Sequence, residues 1–186
     1  MLDHFDLLAP LYDRAIPFAR LDLMLEFLNL PVDGLLLDAG GGTGRVAAAL
    51  KPYTRQVVVA DLSAGMLAQS RNKQLAGLMA PAEQLPFAAG TFSRVLMVDA
   101  LHHVINQRET IAELWRVLQP GGRLVIEEPD IRTLTVKLVA LVEKLALMRS
   151  HFISPPVIAG YFPSQARVSV EVQGYNAWVI VEKLGD

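Results

Sequence analysis

A carboxylate stands at the entrance of a glycine-rich stretch in the first quarter of the chain. Asp38 follows three leucines and precedes several glycines in the stretch LLLDAGGGTG, residues 35–44. A glycine-rich turn between a buried strand and a helix usually offers backbone N–H groups to an anionic phosphate. A fixed carboxylate would repel that anion. The stretch therefore predicts either a structural role for Asp38 or a ligand other than a phosphate.

The glycine spacing separates this stretch from two common phosphate-binding loops. The dinucleotide fingerprint G-x-G-x-x-G needs a third glycine where Arg45 stands, and the Gly-Lys-Ser/Thr ending of a P-loop is absent. The spacing present is Asp-x-Gly-x-Gly-x-Gly, formed by Asp38, Gly40, Gly42 and Gly44. Glycines let a ligand lie against bare backbone. A cofactor that carries an ammonium and a sulfonium would favour the nearby carboxylate, so we predict S-adenosyl-L-methionine.

A second acid follows at the end of the next predicted strand. Asp61 stands 21 residues after Gly40, where a carboxylate can accept hydrogen bonds from both hydroxyls of a ribose. Taken alone, this spacing also fits NAD. Asp61 could instead cap the following helix, although Ser63 is itself a plausible N-cap.

Composition limits the function classes. The 186 residues are 52% hydrophobic, and we expect residues 1–186 to form a single domain. The chain has no cysteine, which excludes disulfides, thiolate metal sites and cysteine nucleophiles. A formal net charge of -2 gives no basic footprint for nucleic acid, and no apolar run is long enough to span a bilayer. These features predict a soluble, cytoplasmic protein.

Short β-branched runs alternate with helical patterns, which is typical of a parallel sheet covered by helices on both faces. Gly174 and Tyr175 alone separate the last two runs, so we expect an antiparallel hairpin there. The predicted fold is α/β, a Rossmann-like, seven-stranded, mostly parallel sheet with helices on both faces and an antiparallel C-terminal hairpin. The predicted strands are LLLD (35–38), QVVVAD (56–61), GLMAPA (77–82), SRVLMVDA (93–100), GRLVIEEP (122–129), RVSVEVQ (167–173) and NAWVIVEK (176–183).

Five blocks, in this order, give the chain a family resemblance. The chain resembles the class I S-adenosylmethionine-dependent methyltransferases of the type 11 group, and among them the ubiquinone/menaquinone-biosynthesis C-methyltransferases. The blocks are FDLLAPLYD (5–13), LLLDAGGGTG (35–44), VVVADLSAGML (57–67), AEQLPFAAGTFSRVLMVDALHHV (82–104) and ELWRVLQPGGRLVIEEP (113–129). The resemblance implies methyl transfer to a small-molecule acceptor. It leaves open whether carbon, oxygen or nitrogen is methylated, and it leaves the oligomeric state open.

The resemblance also implies how the cofactor is bound. Residues of the first strand end would hold the methionine part, Asp61 the ribose, and residues after it the adenine. Pro81 departs from the family pattern, which often has an aspartate there, so a backbone carbonyl or water would read the adenine amino group. The implied cofactor-binding residues are Asp38, Gly40, Gly42, Gly44, Asp61, Leu62, Met66, Ala82, Glu83 and Asp99. Met66 could equally be ordinary core.

Three residues are candidates for the chemistry at the transferred methyl group. The resemblance places Asp99 and His103 at the end of the fourth strand, where either could remove a proton from the acceptor. His103 could instead be a hydrogen-bonded structural histidine. Tyr12 could close over the cofactor or pack the N-terminal helix. The pair His102 and His103 lacks enough neighbouring ligands in the sequence for a metal site, so none is predicted.

Two segments are predicted to cover the active site. These are an N-terminal helical cover over residues 1–30 and a substrate lid over residues 131–163. Within the second, Leu138, Leu141, Val142, Leu145 and Met148 form an apolar face, and Phe5, Phe18 and Phe152 could join it. A lid of this kind favours an apolar or aromatic acceptor, such as a quinone precursor. The same face could instead cover the sheet.

Two other function classes stay open from the residues. An NAD(P)-dependent oxidoreductase is disfavoured by Arg45 in the third glycine place and by the end hairpin. A catalytically silent partner subunit could keep the glycine loop and lose the acceptor pocket. Fold alone cannot separate these classes, because function depends on the site.

Overall fold

The computed structural model describes residue 13, residues 18–145 and residues 150–185. Within these residues the chain forms one seven-stranded sheet and six α-helices. The strands are β1 (Val32–Ala39), β2 (Thr54–Asp61), β3 (Ala76–Met79), β4 (Phe92–Val98), β5 (Leu118–Pro129), β6 (Ala166–Gln173) and β7 (Asn176–Lys183). The helices are α1 (Leu21–Leu28), α2 (Arg45–Leu50), α3 (Ala64–Asn72), α4 (Gln107–Val117), α5 (Leu134–Leu145) and α6 (Pro155–Ala159).

The sheet order confirms the predicted fold class. The strands lie in the order β3-β2-β1-β4-β5-β7-β6. The five strands from β3 to β5 pair in parallel, and β7 pairs antiparallel with both β5 and β6. The strand order reverses between β1 and β4. In open α/β sheets ligands bind at such a reversal, at the carboxyl ends of the strands.

The alternation of side chains along the strands builds a hydrophobic core on each face of the sheet. On one face, β-strand residues such as Leu36, Val59 and Trp178 pack against α1, α2 and α3. On the other face, residues such as Leu37 and Val95 pack against α4 and α6. The prediction of helices on both faces is therefore confirmed.

Several strand bounds differ from the prediction by one to four residues, and four of these differences have visible local features. β1 begins at residue 32 rather than 35, and β5 at residue 118 rather than 122, each with an irregular register in its first residues. β3 ends at residue 79 rather than 82, before Pro81, which has no N–H to donate. β4 ends at residue 98 rather than 100, because Asp99 adopts a left-handed backbone with φ 53°. The predicted range of β7, 176–183, is confirmed.

Helix α5 does not cover the sheet. Leu138, Leu141 and Val142 are 57%, 53% and 64% exposed, and of the α5 side chains that the structure describes only Val136 is buried. The alternative that this apolar face packs on the sheet is therefore wrong for these three residues. The side chain of Leu145 and the whole of Met148 lie outside the described residues. Among the helices within the described ranges, none is long and apolar enough to cross a bilayer.

Candidate active site

A cavity of about 220 Å³ opens at the reversal of strand order, at the carboxyl ends of β1, β2 and β4. The strands end here in polar residues and tight turns, which is where the α/β architecture gathers side chains from distant parts of the chain. The lining residues are Asp38, Gly40, Gly41, Gly42, Arg45, Val46, Asp61, Leu62, Ser63, Met66, Ala80, Pro81, Ala82, Glu83, Val98, Asp99, Ala100, His103, Val104 and Ile105.

The backbone N–H groups of the four loop glycines donate to acceptors within the protein. The N–H groups of Gly40 and Gly41 donate to the carbonyl of Ala60 at 2.7 and 3.3 Å. Gly42 donates to Asp61 Oδ2 at 2.8 Å, and Gly44 donates to the carbonyl of Gly41 at 2.9 Å. A phosphate-binding loop directs such groups at its ligand. This loop uses them to fold back on β2.

Asp38 is buried directly beneath that loop. Its side chain is in the fully buried end of β1, and its Oδ2 atom has no hydrogen-bond partner among the described residues. Burial raises the pKa of Asp38 to about 7, and the nearby Asp61 carboxylate adds to the rise while the positive charge of Arg45 opposes it. Burying a carboxylate without a full set of partners is costly unless it is protonated or meets a cation. The loop therefore holds an acid suited to a positively charged ligand group.

Asp61 connects the glycine loop to the start of α3. Its Oδ2 accepts the N–H of Gly42, and its Oδ1 accepts the N–H of Ser63 at 2.8 Å. Ser63 caps α3 through its hydroxyl, which accepts the N–H of Met66 at 3.0 Å. The N-cap role predicted for Ser63 is confirmed, and Asp61 supports the same turn. Asp61 also lines the cavity.

The far end of the cavity has apolar walls and a polar rim. Leu62 is 61% exposed and Met66 is buried, and both line the cavity, as Ala82 does. The Glu83 carboxylate accepts the N–H groups of Ile105 and Asn106 at 3.0 and 3.3 Å. Glu83 therefore fixes the two sides of the rim to each other.

Pro81 also lines the cavity, at the position where the family often has an aspartate. Its carbonyl accepts the N–H of Gln84 at 3.1 Å within a turn. This turn sets the local backbone, so a proline and its main chain stand in the cavity wall where the family pattern has an acidic side chain.

The sequence did not predict the ion pair between Arg45 and Asp99. Arg45 Nη2 lies 3.0 Å from Asp99 Oδ2, and the Arg45 side chain is only 11% exposed. Both residues line the cavity. The one sequence signal was that an arginine occupies the place where a dinucleotide loop has its third glycine. The partner, 54 residues later, is brought close only because β1 and β4 are neighbours in the sheet.

A carboxylate on β5 fixes the turn that carries His103. Glu128 Oε1 accepts the N–H groups of Ala100 and Leu101 at 3.0 and 2.7 Å, and Glu128 Oε2 lies 2.5 Å from Nδ1 of His102. His102 and Glu128 are both buried, whereas His103 is partly exposed and lines the cavity. Of the two histidines, His103 therefore faces the site. In the described part of the chain, no group of three or more His, Asp or Glu side chains could hold a metal ion.

The segment after α5 docks on the same turn. Ser150 Oγ lies 3.4 Å from Nδ1 of His103, and the His151 N–H donates to the carbonyl of His102 at 2.7 Å. The ring of Phe152 stacks on that of His102 with centroids 4.3 Å apart. These contacts attach the segment at residues 150–152 to the wall that carries His103.

The cavity gathers nearly all of the predicted site residues that the structure describes. Asp38, Gly40, Gly42, Asp61, Leu62, Met66, Ala82, Glu83, Asp99 and His103 line it. Gly44 does not, since a Cβ placed there would lie 2.5 Å from the side chain of Leu75, away from the cavity. Tyr12 and Phe5 lie outside the described residues, and Phe18 packs against the core beside α1.

Comparisons with known proteins cover the part of the chain that forms this cavity. A family profile described as "Methyltransferase domain" matches residues 37–126, from the end of β1 into β5. A demethylmenaquinone methyltransferase of Mycolicibacterium vanbaalenii is 37% identical over 125 residues, covering 67% of this chain and 54% of the relative. A ubiquinone/menaquinone biosynthesis C-methyltransferase of Syntrophotalea carbinolica is 34% identical over 143 residues, covering 64% of this chain and 60% of the relative.

The fold also matches that of solved methyltransferase structures. A chain from the Haloferax volcanii complex of the Trm112 methyltransferase activator with a methyltransferase superposes with a TM-score of 0.82 at 16% identity, and the whole of each chain is covered. Residues 37–126 belong to a methyltransferase domain family. The chain spans about half to three fifths of the length of the two relatives above, and the family profile ends within β5, before α5 begins.

Proposed function

We propose that this methyltransferase transfers a methyl group from S-adenosyl-L-methionine to a small, apolar or aromatic acceptor. One observation carries the proposal. The cavity presents Asp38, Asp61 and Asp99 beside a glycine loop whose N–H groups donate within the protein. That arrangement favours a ligand with positive charge and ribose hydroxyls over one with a pyrophosphate.

The shape of the loop fits the same cofactor. Gly42 has φ +55°, and a Cβ placed there would lie 3.8 Å from Met66 Sδ and 3.9 Å from Asp61 Oδ2, which leaves the cavity side of this residue open. The unpartnered Oδ2 of Asp38 provides an acceptor beneath it. Asp38 and the loop would hold the methionine part, Asp61 the ribose, and Leu62 with Met66 the adenine. When bound, the cofactor supplies a methyl group activated by a positively charged sulfur.

The contribution of the protein to such a transfer is positioning. The acceptor atom must be aligned with the sulfur–methyl bond while water is excluded, and no covalent protein nucleophile is needed. His103 lines the cavity on a turn that Glu128 holds, so its imidazole is positioned to take a proton from the acceptor. Asp99 is the second candidate base, although its pairing with Arg45 favours His103 for this role.

Two observations support an apolar acceptor. The relatives described above are named for methyl transfer to demethylmenaquinone and for C-methylation in ubiquinone/menaquinone biosynthesis. The helix that follows β5 exposes several large apolar side chains, among them Leu138, Leu141 and Val142. An acceptor with a phenolic or quinone ring would find apolar contacts there, whereas a charged acceptor would be costly to bury.

Calorimetry with S-adenosylmethionine and S-adenosylhomocysteine tests the cofactor assignment. We expect both to bind and NADH and NADPH not to bind. The variant Asp61→Ala should bind S-adenosylhomocysteine at least tenfold more weakly, because two ribose hydroxyls lose a charged acceptor. Asp22→Ala, on α1 and away from the cavity, is the matched control. Binding of NADH in place of S-adenosylmethionine would refute the proposal.

A methyl-transfer assay tests the acceptor class. We expect transfer of a labelled methyl group to demethylated quinols or related phenols and none to charged amines of similar size. Tight cofactor binding without turnover across a broad acceptor panel would instead indicate a silent partner subunit.

A further inference from the structure

Acidic side chains outnumber basic ones around the cavity. Among the lining residues that the structure describes, the acids are Asp38, Asp61, Glu83 and Asp99. Arg45 is the one permanently charged base in that set. A ligand with an ammonium and a sulfonium suits the acids. The methionine end of S-adenosylmethionine also carries a carboxylate, however, and these acids would repel it.

The glycine loop does not supply the missing partner. The N–H groups of Gly40, Gly41, Gly42 and Gly44 donate to the carbonyls of Ala60 and Gly41 and to the Asp61 carboxylate. A carboxylate that enters a partly buried cavity needs a charged or hydrogen-bonding partner. A cationic side chain in the cavity wall can provide it.

Arg45 has the geometry for that task. Its guanidinium is held in the cavity wall by one bond from Nη2 to Asp99 Oδ2 at 3.0 Å. A guanidinium has five N–H donors in a rigid fork, so this bond occupies one donor and orients the others. Arg45 and Asp38 both line the cavity, and the charge of Arg45 lowers the pKa of Asp38 against the effect of burial.

We propose that Arg45 binds the α-carboxylate of the cofactor while Asp99 holds the guanidinium in place. The inference rests on the proposed cofactor and assigns a residue to the one charged group of that cofactor that the acids and the glycine loop cannot accommodate. The rival role for Arg45 is only to neutralise Asp99 and Asp38. The two roles differ in whether the effect of Arg45 depends on the carboxylate of the ligand.

Two ligands that differ only in the carboxylate test whether the effect of Arg45 depends on that group. Decarboxylated S-adenosylmethionine keeps the sulfonium, the methyl group and the ammonium and lacks only the carboxylate. We expect calorimetry to show that the unmodified protein prefers S-adenosylmethionine by at least tenfold. Arg45→Gln should bind S-adenosylmethionine at least tenfold more weakly and change the affinity for the decarboxylated ligand by less than threefold. Arg132→Gln, which removes an exposed guanidinium paired with Asp130 outside the cavity, should change neither affinity.

Three results would overturn the inference. The first is equal loss of affinity for both ligands in Arg45→Gln, with the same melting temperature as the unmodified protein. The second is recovery of S-adenosylmethionine binding in the double variant Arg45→Gln/Asp99→Asn, which would mean that Arg45 only neutralises Asp99. The third is equal affinity of the unmodified protein for both ligands, which leaves the proposed function standing. An unmodified protein that binds neither ligand would refute the proposed function itself.

Discussion

The two sides of the proposed active site differ in whether their side chains have partners within the protein. On the cofactor side, between the end of β1 and the start of α3, the N–H groups of Gly42 and Ser63 both donate to Asp61. Arg45 forms an ion pair with Asp99 on the same side. On the proposed acceptor side, α5 leaves large apolar side chains exposed, and Val136 is its one buried residue among the described side chains. The family profile covers the first side and ends before the second.

This difference shows which part of the chemistry the common domain determines. A loop whose glycine N–H groups donate within the protein is held in one geometry. That geometry restricts the kinds of ligand that fit against it. An exposed apolar helix can meet many apolar acceptors with little change in its own structure, because apolar contact is not directional. We therefore expect the cofactor to be selected by the matched domain and the acceptor by the segment that follows it.

The largest effect should come from filling the loop on the cofactor side. Gly42→Val should abolish binding of S-adenosylhomocysteine, because a β-branched side chain would occupy the open space above Asp61 and resist a positive φ. Calorimetry measures the loss, and thermal unfolding measures the stability.

Gly121→Val is the matched control for the strain in that variant. Gly121 has φ +73°, and a Cβ there would meet nothing within 4 Å. Both variants should lose about 1–2 kcal/mol of stability from the left-handed backbone, but the control should keep its affinity for the ligand. A Gly42→Val protein that binds normally would show that the cofactor does not lie on this turn.

The next largest effect should come from replacing His103, at the border between the two sides. His103→Gln should lower kcat by about 10²–10⁴-fold for an acceptor that must lose a proton, while the affinity for S-adenosylhomocysteine stays within threefold. The pH profile of kcat should lose the limb that the imidazole contributes. An unchanged profile would assign the histidine a structural role beside Ser150.

The buried acid on the cofactor side, Asp38, should make the free energy of unfolding depend on pH. Burial raises the pKa of Asp38 from 3.8 to about 7 in the folded protein, so between these values the folded state holds a proton that the unfolded state releases. The free energy of unfolding should therefore fall as pH rises from about 4 to 7 and should then level off. Each unit of pKa difference corresponds to about 1.4 kcal/mol, so the total is a few kcal/mol.

Asp38→Asn isolates this contribution. The difference in unfolding free energy between the unmodified protein and the variant should change across this pH range, because the variant lacks the titrating group. Chemical denaturation at several pH values measures it. A constant difference would mean that Asp38 has an ordinary pKa and is satisfied within the loop. Glu127, whose pKa burial also raises, is present in both proteins and cancels.

The fold could be predicted because its signals are local. The two-residue turn at Gly174 and Tyr175 sets the register of the β6–β7 hairpin, and the β-branched runs give the strands. The ends of β3 and β4 could not be predicted from the runs alone. They depend on Pro81 and on the left-handed backbone of Asp99, where the chain turns to line the cavity.

The acids and glycines of the site could also be predicted, because each lies at a strand end or in a spaced motif. The pairings between them could not. Arg45 meets Asp99, and His102 meets Glu128, only through the order of strands in the sheet. A sequence shows which side chains can form ion pairs, whereas the topology decides which of them meet.

The smallest effect on stability should come from the acceptor side, and it tests whether α5 is a lid. Leu141 is 53% exposed, so Leu141→Ser should change the free energy of unfolding by no more than about 0.5 kcal/mol. Val136→Ser, on the same helix at a position that is 2% exposed, should cost about 2 kcal/mol or more. With cofactor affinity unchanged, Leu141→Ser should lower kcat/KM severalfold for a quinol with a long apolar tail and leave a short phenol unaffected. Equal activity on both acceptors would place the acceptor site elsewhere, and the comparison between the two sides would then rest on the cofactor side alone.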